Sequence, residues 1–383
     1  MRKLACSILG LALVASLVSG CAQGTSEIRI GHYAPMSGDM AAWGQMEKKA
    51  IDLAVEEVNK AGGVLGKPVK VFSYDDKGDK VEAVNVAKKL VSQDKVCVII
   101  GENTSSASMA VAPVLEEAKI PAIATAATNP KVTEPEPGKV RPYYFRVCFI
   151  DPFQGRAIAS YAYKKMNARK VAILYDLSQD YSLGLTEFFK STFTELGGQV
   201  VAQETFKGGE EDFRAQLTRI KPPEPDVIFL PIYYKEAALI MKQARELGIQ
   251  SKFVGGDGLE SQVLVDLGGP AVEGVCYTSH YSPEDPSPVV QNFIKKFKEK
   301  YKEDPDLNAV LAYDAFYMAI DAIKRAGAAD PAKIRDALEN TKDLELVSGK
   351  ITSDPKTHNP KDKDAVIITV KGGKFTFTER IRP

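Results

Sequence analysis

From Glu27 onward the chain alternates short apolar runs with amphipathic stretches, and that alternation constrains the fold more than any other feature of its 383 residues. "EIRIGHYAPM" reads as a strand, and "WGQMEKKAIDLAVEEVNKAGG" as a helix whose Ile51, Leu53, Ala54 and Val58 share one face, with Gly62 placed to end it. "PVKVFSYDD", "KVCVIIGEN" and "IPAIATAAT" follow as strands, separated by the helical "KVEAVNVAKKLVSQ" and "SSASMAVAPVLEEAK". Such alternation predicts a parallel sheet covered on both faces, because each crossover helix packs its apolar side back onto the strands. After "YYFRVCFIDP" the pattern restarts: "RKVAILYD", "QVVAQETF", "DVIFLPIYY" and "KFVGGDG" are strands, separated by helices such as "SLGLTEFFKSTFTELGG" and "KEAALIMKQARELG". Two α/β halves of similar plan therefore lie in series.

Beyond "EGVCYTSHYS" comes a more helical region, "PVVQNFIKKFKEKYK", "LNAVLAYDAFYMAIDAIKRAG" and "PAKIRDALENT", and the chain ends in two strands, "DAVIITVKGGKFTFTERI". A helix group with no sheet of its own must pack on an earlier half, and the first half is the expected partner. Such a return requires several crossings between the halves, hence a hinge with a cleft. "TEPEPGKVRP" reads as an exposed loop. With 44% hydrophobic residues a chain of this length fills two cores, so two lobes are expected.

The first residues read differently. Arg2 and Lys3 precede "LACSILGLALVASLV", an uncharged stretch too short to span a bilayer comfortably and followed by small residues, as in a secretion signal. "VSGC", Val18 to Cys21, resembles the lipobox of bacterial lipoproteins, in which the cysteine is lipidated and becomes the new N-terminus. Residues 1–20 are then a removed signal and residues 21–26 a tether that holds the protein to a membrane on its extracytoplasmic side, periplasmic or cell-surface. A plain signal peptide with an incidental cysteine is the alternative. Cys6 lies in the signal, and Cys97, Cys148 and Cys276 each sit inside an apolar run without CxxC spacing. They read as small buried hydrophobes, with one disulfide among them left open for an exported protein.

Several chemistries are excluded. "AGGVLGKP" has Ala61 where a phosphate loop begins with Gly, and Pro68 where a magnesium-binding Ser or Thr is required. "GGDGLES" carries Ser261 at the third Gly position of a dinucleotide loop and falls late in the second half. There is no GxSxG elbow, and His32, His280 and His358 stand apart with no partner at ligand spacing, so neither metal nor cofactor is expected and the chain does not read as an enzyme. His32 and His280 fall near strand ends, where hinge or surface packing is the expectation and a pocket role the alternative. Basic and acidic side chains are equal at 50 each and scattered, so no nucleic acid partner is implied.

In open α/β sheets ligands bind beyond the carboxyl ends of the strands. In the first half the residues there are Trp43, Glu102, Asn103, Thr104, Ser105, Ala126, Ala127 and Thr128; in the second they are Tyr181, Tyr233, Tyr234 and Asp257. Hydroxyls and free N–H groups at helix starts suit a carboxylate. Asp257 between Gly256 and Gly258 suits an ammonium group approached closely by backbone. Together with aromatic walls, these groups describe a site for an α-amino acid zwitterion. Singly, each residue has a plainer role: Ser105 and Thr128 as helix caps, Asp257 in a turn, the tyrosines as half-buried core, and Trp43, the only tryptophan, as core packing.

"IRIGHYAPMSGDMAAWGQ", "AIDLAVEEVNKAGGVLGKPV", "SYDDKGDKVEAVNVAKKLV", "VIIGENTSSAS", "IPAIATAATNP", "VAILYDLSQDYSLGL", "IMKQARELG", "FVGGDG" and "LAYDAFYMAIDAI", in that order, resemble the leucine/isoleucine/valine-binding family of ABC-transporter substrate-binding proteins. The resemblance covers nearly all of the chain after the tether. It implies a type I periplasmic binding protein fold: two Rossmann-like α/β lobes joined by a three-segment hinge that closes around a small ligand. The lobes then comprise residues 27–147 with 280–355, and residues 148–279 with 356–383. Carried onto this sequence, the family's carboxylate site falls on Ser105 and Thr128 with backbone at Ala126 and Ala127, and its amino-group acid on Asp257, where Glu is common. Tyr181 and Tyr233 match aromatic contacts of the second lobe, and Trp43 one of the first, a wall over the ligand. Asn103 stands where leucine-type members have an apolar contact, so a polar or larger ligand is open; Gly78 and Thr104 replace a cysteine pair of some members. The implied activity is capture of an L-amino acid, branched-chain type first, for an ABC permease and its ATPase. A sensor of amino acids, amides or aromatic acids that signals to a partner is the alternative, and an exported hydrolase lacks its nucleophile and base.

Overall fold

The first sheet grows from a central strand outward in both directions. β1 (Ile28–Ala34) leads through α1 (Ala41–Lys60) to β2 (Val69–Asp75) at one edge. The chain then returns through α2 (Lys80–Lys89) to β3 (Val98–Ile100) on the other side of β1, and continues by α3 (Ser105–Ala118) to β4 (Ala122–Ala124) and β5 (Tyr144–Arg146). All pairings are parallel, in the order β2-β1-β3-β4-β5. This computed structural model describes residues 27–382; the expected leader with Cys6, and the whole tether with Cys21, lie outside the described residues.

The second sheet repeats the plan. After α4 (Asp151–Lys164), β6 (Lys170–Asp176) connects by α5 (Asp180–Glu195) to the edge strand β7 (Gln199–Phe206). α6 (Arg214–Ile220) returns the chain to β8 (Val227–Leu230), and α7 (Tyr234–Glu246), β9 (Lys252–Gly255), α8 (Gln262–Gly268) and β10 (Cys276–Ser279) follow. Three more helices, α9 (Pro288–Tyr301), α10 (Leu307–Ala326) and α11 (Pro331–Glu339), and a small hairpin, β11 (Leu344–Leu346) with β12 (Gly349–Ile351), come next. The chain ends in β13 (Ala365–Lys371) and β14 (Lys374–Ile381), antiparallel additions beside β10 that turn on Gly372 and Gly373, both at positive φ. The seven strands run β14-β13-β10-β9-β8-β6-β7.

Side-chain chemistry explains why α9–α11 belong with the first sheet. α10 is apolar nearly all round, and its Val310, Leu311, Phe316, Met318 and Ile320 share one core with Ile30 of β1, Ile51 of α1 and Phe293 of α9. Asp306 and Asp330 cap α10 and α11 by accepting from Ala309 and Lys333 N–H, each just before an apolar run. The chain therefore passes between the sheets three times, after β5, after β10 and after β12. The three thiols expected to be buried, Cys97, Cys148 and Cys276, are buried and free. The loop expected at "TEPEPGKVRP" is exposed at its tip, but Thr133 at its start is fully buried and its hydroxyl donates to Asn359.

Each sheet has one place where the order of adding parallel strands reverses: between β1 and β3 in the first, between β6 and β8 in the second. Loops leaving the two strands at such a point diverge and open a crevice at their carboxyl ends. The connections after β1, β3 and β4 bring Trp43, Ser105 and Ala126 to that edge, and those after β6, β8 and β9 bring Tyr181, Tyr233 and Asp257 to the matching edge of the other sheet.

The start of α1 depends on close backbone approach: a Cβ at Gly44 would stand 2.3 Å from the Pro35 carbonyl oxygen. Gly44→Ala is expected to cost about 2 kcal/mol of folding free energy by overpacking, read by urea unfolding followed by circular dichroism; an unchanged midpoint would show that α1 shifts freely.

Candidate functional site

The two edges face one another across a small, narrow cavity. Its wall is made by Trp43, Asn103, Ser105 and Ala126 from the first half, Tyr181, Tyr233, Asp257 and Gly258 from the second, and Leu307 and Asn308 from α10. Seven of the nine ligand contacts expected from sequence therefore meet in one space. Ala127 and Thr128 are not on the wall. The Ala127 side chain sits in the core and its carbonyl accepts from Arg146 Nη1 at 2.6 Å. Thr128 is fully buried, its carbonyl accepting from Asp151 N–H and its hydroxyl without a hydrogen-bond partner.

The first-half end of the cavity is built to present donors. α3 starts at Ser105, and its first-turn N–H groups have no intrahelical acceptor, which favours an anion there. The Ser105 hydroxyl accepts from Asn129 N–H at 3.1 Å, fixing the loop after β4 against the start of α3. Arg146, fully buried on β5, holds the same loop by donating to Ala127 and Asn129 carbonyls. One step behind, the Thr104 hydroxyl and N–H both donate to Glu102 Oε2.

The second-half end presents an acid. Asp257 is 5% exposed; its N–H donates to Gln154 Oε1 at 2.7 Å, and its Oδ2 lies 2.9 Å from His280 Nε2. Burial holds the His280 imidazole below its ordinary pKa, so the ring is a neutral donor, and it stacks on Phe149 with centroids 3.7 Å apart. Phe149 and His280 belong to two of the three connections between the sheets, so the acid is oriented from the crossings themselves. His280 thus packs in the hinge as expected and also contacts a site residue. His32 departs from the surface or hinge packing expected of it: it is fully buried in β1, between Ser73 and Glu47.

Trp43 does two things at once. Its indole closes the cavity edge-on to Tyr233 and Tyr234, with both centroids at 4.9 Å, and Nε1–H donates to the Glu260 carbonyl of the other half at 2.9 Å. Glu260 also accepts from Leu307 N–H at 2.8 Å, so one residue of the second half ties both α1 and α10 of the first. Further ties cross the mouth. Ser106 Oγ donates to Asp180 Oδ2 and accepts from Asp180 N–H, Asn129 Nδ2 donates to the Asp180 carbonyl, and Tyr234 and Lys235 bind Asp39. The arrangement is a closed one. Leu307, Asn308, Glu260 and Asp180 were not anticipated, whereas Gly258 was, as a flank of Asp257 that lets backbone approach; a helix start is legible at "DLNAV", but not that it reaches the cavity.

Beneath the Trp43 and Asn103 loops lies a buried acid group. Glu47 Oε1 accepts from Thr125 Oγ1 at 2.6 Å and its Oε2 lies 3.3 Å from His32 Nε2. Burial pushes Glu47 up to about 8 and His32 down to about 3. A protonated Glu47 donating to a neutral His32, whose Nδ1–H donates to Ser73, satisfies every group without a buried charge.

A family model described as "Periplasmic binding protein" matches residues 27–374. The Leu/Ile/Val-binding protein homolog 2 of Brucella abortus is 32% identical over 383 residues, covering 99% of this chain and 100% of the relative. Among solved structures, a leucine-binding protein LivK from Thermotoga maritima is 41% identical, covering 93% of this chain and 99% of its own, with a TM-score of 0.88. The branched-chain amino acid transporter substrate-binding protein LivJ from Streptococcus pneumoniae, in complex with isoleucine, is 36% identical, covering 93% and 100%, with a TM-score of 0.87.

The Glu47 carboxyl has a consequence for stability. Its folded pKa near 8 exceeds its ordinary value of 4.5, so the folded chain holds a proton that the unfolded chain gives up over that interval. Its contribution is complete below about pH 4.5 and is lost as the pH rises through 8. Glu47→Gln keeps a neutral partner for His32 and is expected to lose less stability than the wild type between pH 5 and about 8.5 in denaturant titrations; identical pH slopes would place an ionised carboxylate at this position.

Proposed function

The chain belongs to the periplasmic binding protein family, and from that premise we propose that it is the extracytoplasmic binding subunit of an ABC importer, which captures an L-α-amino acid by closing its two halves and presents the closed form to a permease. The observation that carries the reading is that Ser105, at the start of α3, and Asp257, after β9, line one cavity from opposite halves. The first suits a carboxylate and the second an ammonium group. Only a ligand that touches both halves favours closure, since a ligand shifts a conformational equilibrium by its differential affinity for the two states. An aromatic acid satisfies the anion end and leaves Asp257 without a cation, so the zwitterion is the better match. The relatives' names make branched-chain amino acids the first class to test for side-chain size.

The three connections between the sheets serve as the hinge, and the ties at Asp39, Asp180 and Glu260 form only when the halves meet. Residues 1–20 are a signal and Cys21 is lipidated, which holds the binding domain near the permease. Incorporation of labelled fatty acid into the wild type but not into Cys21→Ser supports that anchor; label in both removes it.

A saturating L-amino acid at a hundred times its dissociation constant is expected to add about 2.7 kcal/mol to unfolding. Asp257→Ala is expected to weaken binding roughly thirtyfold, about 2 kcal/mol, by leaving the ammonium unpaired in a dry cleft. Calorimetric titration of both proteins with the best stabilising amino acid checks this, and unchanged affinity in the variant takes the acid out of the site.

A further inference from the structure

Among the cavity residues, those set aside for the ligand's two charged groups leave a third stretch of wall: Trp43, Asn103, Tyr233, Leu307 and Asn308. Within that stretch the indole N–H is already committed to Glu260. The amides are not. Asn103 is 5% exposed and neither its Nδ2 nor its Oδ1 has a hydrogen-bond partner in the protein; Asn308 is 2% exposed and its Nδ2 has none; the buried Tyr233 hydroxyl has none. Asn103 comes from the loop after β3 and Asn308 from the first turn of α10, two segments far apart in sequence that bring their amides to one cavity.

Resting on the amino-acid reading above, we propose that the ligand's side chain is an uncharged amide, so that the protein binds L-asparagine or L-glutamine in preference to the branched-chain amino acids of similar size. A side-chain carbonyl accepts from Asn103 Nδ2 and Asn308 Nδ2, and its NH₂ donates to Asn103 Oδ1. An aliphatic side chain of the same shape leaves these polar atoms buried without partners. A site furnished to hydrogen-bond its ligand rejects the analogue lacking those groups far more strongly than an apolar pocket rejects a missing methylene. A charged side chain is disfavoured because the wall offers it only neutral partners: the amides, a tyrosine and, behind them, the proton-holding Glu47.

L-Asparagine and L-leucine are nearly isosteric, and calorimetric titration of the purified protein with each tests the assignment directly. Asparagine or glutamine is expected to bind at least tenfold more tightly than leucine, and Asn103→Leu/Asn308→Leu is expected to reverse that order while still binding an L-amino acid. Leucine, isoleucine or valine binding the wild type as tightly as the amides overturns the amide assignment alone. Failure of every L-amino acid to bind overturns both this assignment and the functional reading on which it rests.

Discussion

All five strands of the first sheet and five of the seven in the second run parallel, and from that one constraint the site follows. Parallel strands deliver every connection of one kind to the same edge, and a reversal in strand order leaves a crevice there. The chain makes this arrangement twice and sets the two edges face to face. The hydrogen-bond donors at the start of α3 and the acid after β9 are opposite ends of one space because the strands before them point at each other.

Burial then determines what each group is able to do. Glu47, Asp151 and Glu260 are all pushed up to about 8 by burial, so the region around the cavity is largely uncharged. Asp257 is different in kind: it is oriented by His280 and by Gln154, and it reaches the cavity. On the proposed reading, a ligand ammonium group meets one defined acid in these surroundings, where an ion pair is strong once formed and costly to leave half made. The ties between the halves are short-range and numerous, which makes the closed form a specific state. Glu260, holding Trp43 by its backbone carbonyl and α10 by its carboxyl group, links cavity wall and return helix in a single residue.

Much of this was legible in the sequence. Period and length separate strands from helices, so the double α/β plan and the terminal strands were readable, and strand-end position marked Trp43, Ser105, Tyr181, Tyr233 and Asp257. Position along a strand does not say how far a loop turns back, and Ala127, expected to contribute backbone, and Thr128 are not among the residues that line the cavity. The commitment of Ala127's carbonyl to Arg146 depends on a residue in the next strand and has no local signal. Asn308 was out of reach for another reason: "LNAV" announces a helix and its return to the first half was expected, but not that its first turn reaches the cavity. The tryptophan was read as either core or ligand wall; its ring packs with the second half's tyrosines and borders the cavity, while its N–H ties the halves together.

The central claim is that one dipolar molecule is held by its two ends from opposite halves. A crystal structure of the protein grown with its tightest-binding L-amino acid examines it most directly. The account requires the carboxylate at Ser105 and the first turn of α3, with the ammonium against Asp257. A ligand bound with those ends exchanged, or held by residues of one half alone, would contradict it.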